Sequence, residues 1–222
     1  MYLFDQAKEK ENLNNFFKAN NPLLMSFGST VNQTFEAYVF ANCIKWYEKN
    51  GWNIHIIHPR KGPFKGKFKL KFNTRGAPAH YSYALCNKYD KIIQIHHGLR
   101  VATRYDNIEN EYPANICLDV AIIKETYIIG FDTDRAIPNE NLLCFGEAKH
   151  MSAFAELIAG FLGMVHELLP EMLENKDNMD ENELYPFLYV SGKLNPTAKG
   201  LRETIEKRNM NIRIYSFDDP ME

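Results

Sequence analysis

The 222-residue chain is 45% apolar and 13% aromatic, enough to bury a sizeable core, which excludes a disordered tail. A formal net charge of −2 excludes nucleic-acid binding through bulk charge, so any such contact has to come from a local patch. Cys43, Cys86, Cys117 and Cys144 are scattered and form no CxxC pair, which fits buried thiols in a reducing cytoplasm better than disulfides or a zinc site.

The start, "MYLFDQAKEKENL", has no basic segment followed by a long apolar one, so no signal peptide is expected. No apolar run approaches the roughly 18 residues that span a membrane. Residues 5–19 read as a short polar helix with Leu13, Phe16 and Phe17 on one side, within an N-terminal extension over 1–27 that Pro22 breaks. A stronger helix is predicted over about 31–49, with Phe35, Val39, Ile44 and Tyr47 on its apolar face and Gly51 as its C-terminal cap. "WNIHIIHP" alternates as a strand should, and "GKFKLKF" alternates more strictly. "KIIQIHHGLRVATRY" is a further strand, bent at Gly98, and residues 52–105 read as a β-rich elaboration. "NICLDVAII" and "NLLCFGEAKH" carry apolar residues on both faces, as buried strands do, and the linker between them suits an edge hairpin. A helix over about 152–168 comes next, then an acidic loop. "FLYVSG", "TAKGLRETIEKRN" and "NIRIYS" follow as strand, helix and strand. This order predicts one α/β domain over 1–222, a central mixed sheet flanked by helices.

Glu147 and Lys149 sit two apart on one predicted strand, so they project to one face. Asp119 lies among apolar neighbours in the preceding strand, and a buried carboxylate has to be paired, protonated or metal-bound. If the two strands are neighbours, Asp119 and Glu147 meet, and Mg²⁺ would relieve their repulsion. Lys149 would then hold or deprotonate an attacking water. A Glu–Lys ion pair without catalysis is the plain alternative, since the ExK tripeptide is common by chance.

"CLDVAII … CFGEAKH" resembles the core motif of the PD-(D/E)xK nucleases, the restriction-endonuclease-like superfamily, and the order of elements from about residue 28 to 216 is similar to that family's core. The resemblance implies a restriction-endonuclease-like fold and a Mg²⁺-dependent nuclease, with Mn²⁺ as a substitute, acting on DNA more often than RNA. It implies metal ligation by Asp119, Glu147 and the Ala148 carbonyl, with Lys149 serving the water. Glu36 stands where many members carry a further glutamate. The chain departs from the pattern in having Leu118 before the aspartate and no glutamine in the helix after Lys149. The linker and "IPNENLLCFGEAKH" resemble prokaryotic antiviral defence nucleases. Two other functions remain open: a nucleic-acid-binding or regulatory module that has lost cleavage, and a small-molecule-binding α/β domain.

From 60 to 75 there are seven basic residues and no acidic one, which leaves −9 for the rest of the chain. Lys65, Lys67, Lys69, Lys71 and Arg75 are therefore candidate phosphate contacts, with a lysine-rich solvated edge as the alternative. Gly62 and Gly66 would let this segment bend around a duplex. His96 and His97 face opposite ways in a strand and suit packing better than metal binding. Gly160 and Gly163 lie on one stripe of a predicted helix with Glu156 and Glu167, which suggests close packing by another helix and a homodimer. A partner protein or small activator also remains open.

Overall fold

A computed structural model of the chain describes residue 15 and residues 31–73, 75–106, 111–125, 135–174 and 184–217. The N-terminal extension, most of the linker hairpin and most of the acidic loop lie outside these residues. The architecture is α/β, with a seven-stranded mixed sheet and three helices among the described residues. The chain divides into two compact units, Phe40–Phe145, and Met1–Val39 with Gly146–Glu222. No described helix is long and apolar enough to cross a membrane.

Helix α1 (Val31–Lys49) contains no glycine or proline and stops at Gly51, whose N–H returns to the Glu48 carbonyl. The Phe40–Phe145 unit holds an antiparallel meander: β1 (Asn53–Ile57), β2 (Tyr83–Lys88), β3 (Lys91–Ala102) and β4 (Asn115–Lys124) pair in succession. Sequence periodicity did not predict β2, because Asn87 and Lys88 are poor strand formers. Its hairpin also lacks the usual glycine signal: Tyr89 itself takes the left-handed conformation, at φ 54°.

"GKFKLKF" is not a strand. Turns run through residue 67, where the Lys67 N–H reaches the Phe64 carbonyl, and too little chain remains to form a ladder. The segment is instead pinned across the meander. The Lys69 N–H donates to Ser82 Oγ at 2.9 Å, and the Ser82 N–H donates to the Lys69 carbonyl at 2.7 Å. Two residues on, Lys71 Nζ donates to the Gly98 carbonyl at 2.8 Å, and His97 Nδ1 bonds the Lys71 carbonyl at 2.8 Å. Gly98 has φ +65°, and a Cβ there would lie 2.2 Å from the Lys71 carbonyl oxygen, so both the bend and the close approach require glycine.

β5 (Leu142–Lys149) enters the second unit at Gly146 and is continued there by β6 (Phe187–Val190) and β7 (Arg213–Ser216), with β6 parallel to both of its neighbours. Parallel neighbours need crossover helices. These are α2 (Ala155–Leu168) and α3 (Pro196–Lys207). The α2 helix begins at Ala155, three residues later than its sequence suggests. It buries Ile158, Phe161, Val165 and Leu168, and all four residues of β6 are buried, as parallel strands covered on both faces are. Gly160 and Gly163 are exposed, and nothing lies within 4 Å of a Cβ built at either, so no described part of the chain makes the expected close approach there.

His96 and His97 are both buried, as packed histidines. His96 stacks on Tyr83 with ring centroids 4.6 Å apart, and its Nε2 meets Gln94 Oε1 at 2.8 Å. Burial lowers the His96 pKa to about 3 and that of His97 to about 4. In the unfolded chain both titrate near 6.5, so below that pH the unfolded state binds more protons. The stability due to neutral His96 and His97 is therefore complete above about pH 7 and is lost as pH falls toward 4. Each should contribute a slope of at most about 1.4 kcal/mol per pH unit in that window. Urea midpoints measured at pH 7, 6 and 5 should fall steadily, and His96→Gln should flatten the decline.

Candidate active site

Glu147 and Lys149 lie at the carboxyl end of β5, where alternation aims both at one face. Lys149 Nζ donates to Glu147 Oε2 at 2.7 Å. The glutamate side chain is only 6% exposed, whereas that of the lysine is 37% exposed. The carboxylate is thus withdrawn from water while the ammonium still reaches it. Ala148 projects the other way and is buried. It pairs with Tyr189 on β6, and Phe35 of α1 packs on the Tyr189 ring at 5.3 Å. Phe35 also lies 6.0 Å from the ring of His150, the residue after Lys149. Phe35 therefore lies on the Ala148 face of the sheet, opposite Glu147 and Lys149, and the candidate glutamate Glu36, next to it on α1, is half-buried.

More polar groups gather at those strand ends. Ser191 follows β6, its N–H donates to the Lys149 carbonyl at 3.0 Å, and its Oγ meets His150 Nδ1 at 2.8 Å. Ser191 had no signal in the sequence, because its position depends on the parallel register of β5 and β6.

Asp119 sits on β4 in the other compact unit. The pairs His97–Val120 and Leu99–Leu118 set it across from Gly98. Its charge acts on His97: burial depresses the imidazole pKa, while the bond to the Lys71 carbonyl and the Asp119 charge oppose that depression. Lys71 and His97 are therefore polar neighbours of the Asp119 region that sequence reasoning missed, the first because it was assigned to a surface.

The basic segment is divided. Lys65, Lys67 and Arg75 are exposed, and Lys69 is half-buried with its ammonium 3.3 Å from the Phe64 ring centroid. Lys71 is only 2% exposed, which corrects its assignment as a phosphate contact: its ammonium is committed to the Gly98 carbonyl. The lysines do not line one face of a strand.

Among the described residues no three His, Cys, Asp or Glu side chains gather into a metal-binding group. Mg²⁺ does not demand one, since it is commonly held by one or two carboxylates with waters and substrate phosphate. The withdrawn Glu147 carboxylate and the Ala148 carbonyl are hard oxygen donors of the kind it takes. No known family model, curated protein or solved structure matches the chain.

Because Lys149 reaches solvent, the pair is not sealed. Lys149→Met should cost about 1–2 kcal/mol of unfolding free energy, below the roughly 3–5 kcal/mol of breaking a fully buried pair. Glu147→Gln, which removes the withdrawn charge, should cost less than Lys149→Met. Denaturant titrations of the two variants at pH 7 measure both differences.

Proposed function

We propose that this protein is a Mg²⁺- or Mn²⁺-dependent nuclease that hydrolyses phosphodiester bonds, with DNA as the first candidate substrate. One observation carries the reading: a withdrawn carboxylate joined to a solvent-reaching ammonium at the carboxyl end of a parallel strand, directly ahead of a helix. Ligands of α/β sheets gather outside the carboxyl ends of parallel strands. The likeness of the Asp119, Glu147 and Lys149 pattern to the PD-(D/E)xK motif supports the same chemistry, and that likeness also suggests prokaryotic antiviral defence as its setting.

In this reading Glu147 and the Ala148 carbonyl would hold the cation, and the motif likeness gives Asp119 a ligand's role. The cation would offset negative charge on the phosphate under attack. Glu147 accepts a hydrogen bond from Lys149 and so fixes where the ammonium points. Lys149 holds the attacking water and stabilises the oxygens that gain charge as the new P–O bond forms and the old one breaks. The motif likeness would give Glu36 the task of orienting that water or accepting its proton. The 2.7 Å contact also favours a second reading, in which the pair only neutralises a buried carboxylate.

Incubation of plasmid, single-stranded DNA and RNA with Mg²⁺, Mn²⁺ or EDTA separates the two. The nuclease reading expects cleavage with either metal and none in EDTA. Asp119→Asn and Glu147→Gln should abolish it. Lys149→Ala should slow it about a hundredfold or more while the protein stays folded and still binds metal by calorimetry. Wild-type protein that cuts none of the three substrates with either metal leaves the ion-pair reading in place.

A further inference from the structure

Residues 59–68 form a preformed loop. Gly62 and Gly66 both adopt positive φ, at 81° and 70°. The Gly66 N–H donates to the Pro59 carbonyl at 2.9 Å, and the Lys65 N–H donates to the Gly62 carbonyl at 3.1 Å. The loop's two aromatic side chains stay in water: Phe64 is 39% exposed and Phe68 40%. Lys65 and Lys67 lie between them in the chain and are exposed, as are Arg60 and Lys61. Lys69 Nζ sits over the Phe64 ring, and His58 meets the Phe68 ring edge-on at 6.2 Å, so both rings are held in place at the surface.

A fold rarely keeps two phenylalanines in water inside its densest run of cations for packing reasons. Pure charge would serve a duplex backbone, and pure apolar surface would serve a protein. Cations set between exposed rings match a chain that offers phosphates and open base faces together. We propose that the 59–68 loop binds unpaired nucleotides, with Phe64 and Phe68 as stacking surfaces and Lys65 and Lys67 as phosphate contacts. This deepens the nuclease reading and rests on it for biological meaning, but the binding itself needs neither the metal nor Glu147.

The test is fluorescence anisotropy in EDTA, with a labelled single-stranded oligonucleotide and its duplex, on the full chain. Wild type should bind the single strand more tightly. Phe64→Ala and Phe68→Ala should each weaken single-strand binding about fivefold to a hundredfold, by the usual worth of one base–aromatic stack. Duplex affinity should change less than about twofold in these variants. Phe64→Tyr, which keeps a ring, should restore binding, and melting curves confirm that each variant is folded. Lys65→Gln with Lys67→Gln should weaken both ligands and flatten the salt dependence. Phenylalanine variants that bind the single strand like wild type overturn the proposal. So does equal weakening of both ligands in those variants, or polyglutamate competing as well as unlabelled oligonucleotide, which would indicate an acidic protein partner. Stacking-dependent binding without metal-dependent cutting keeps this proposal and removes the nuclease. Cutting with ring-independent binding does the reverse.

Discussion

Withdrawing a carboxylate from water at the end of a buried strand is the constraint around which the parallel unit is arranged. Held there without a cation, Glu147 would cost the fold about 1–2 kcal/mol, less than a sealed charge would because its partner still reaches water. The chain supplies its cation at the shortest spacing that shares a face, two residues on. That solution places the ammonium at the strand terminus, where the backbone leaves the sheet and side chains meet solvent. The neighbouring strand ends then contribute Ser191 and, through it, His150. A polar, partly wet corner follows from one buried acid.

The meander has a different organising device. A positive-φ glycine inside a long strand lets another backbone approach, and the space is taken by the Lys71 carbonyl. The tie is reciprocal: Lys71 gives its ammonium to Gly98, and His97 answers at the Lys71 carbonyl. A lysine so placed acts as a structural clamp, buried and with its ammonium held by a backbone carbonyl.

Most of the architecture was legible in the sequence. The α1 helix, six of the seven strands, and the strand–strand–helix–strand–helix–strand order of the second half follow from periodicity and stop signals alone. Glu147 and Lys149 were legible for the same local reason, since alternation brings i and i+2 together. The failures share one cause. Residues 66–72 alternate as well as any strand, yet their partners are Ser82, His97 and Gly98, up to 27 residues away. Alternation records which side of a segment faces inward, and it cannot tell a ladder from a loop pinned by distant side chains. Lys71 was misjudged accordingly: its inward face was taken for the outward one. The β2 strand was missed from the opposite side, because its poor formers are carried by pairing with β1 and β3.

The double tie at Lys69 and Lys71 also divides the chain between β1 and β2 by how freely it can vary. Beyond the tie, residues 60–67 hang from fixed ends and bury none of their side chains. Insertions, deletions or exchange of this stretch leave the meander's register untouched, because the paired strands lie outside it, β1 before residue 58 and β2 to β4 after residue 82. Within 69–72 a shift of one residue would carry Lys71 out of reach of Gly98 and put a side chain of the wrong kind into the core. Related sequences should therefore differ in length before the clamp and keep strict spacing through it, so that this surface can be rewritten without refolding what supports it.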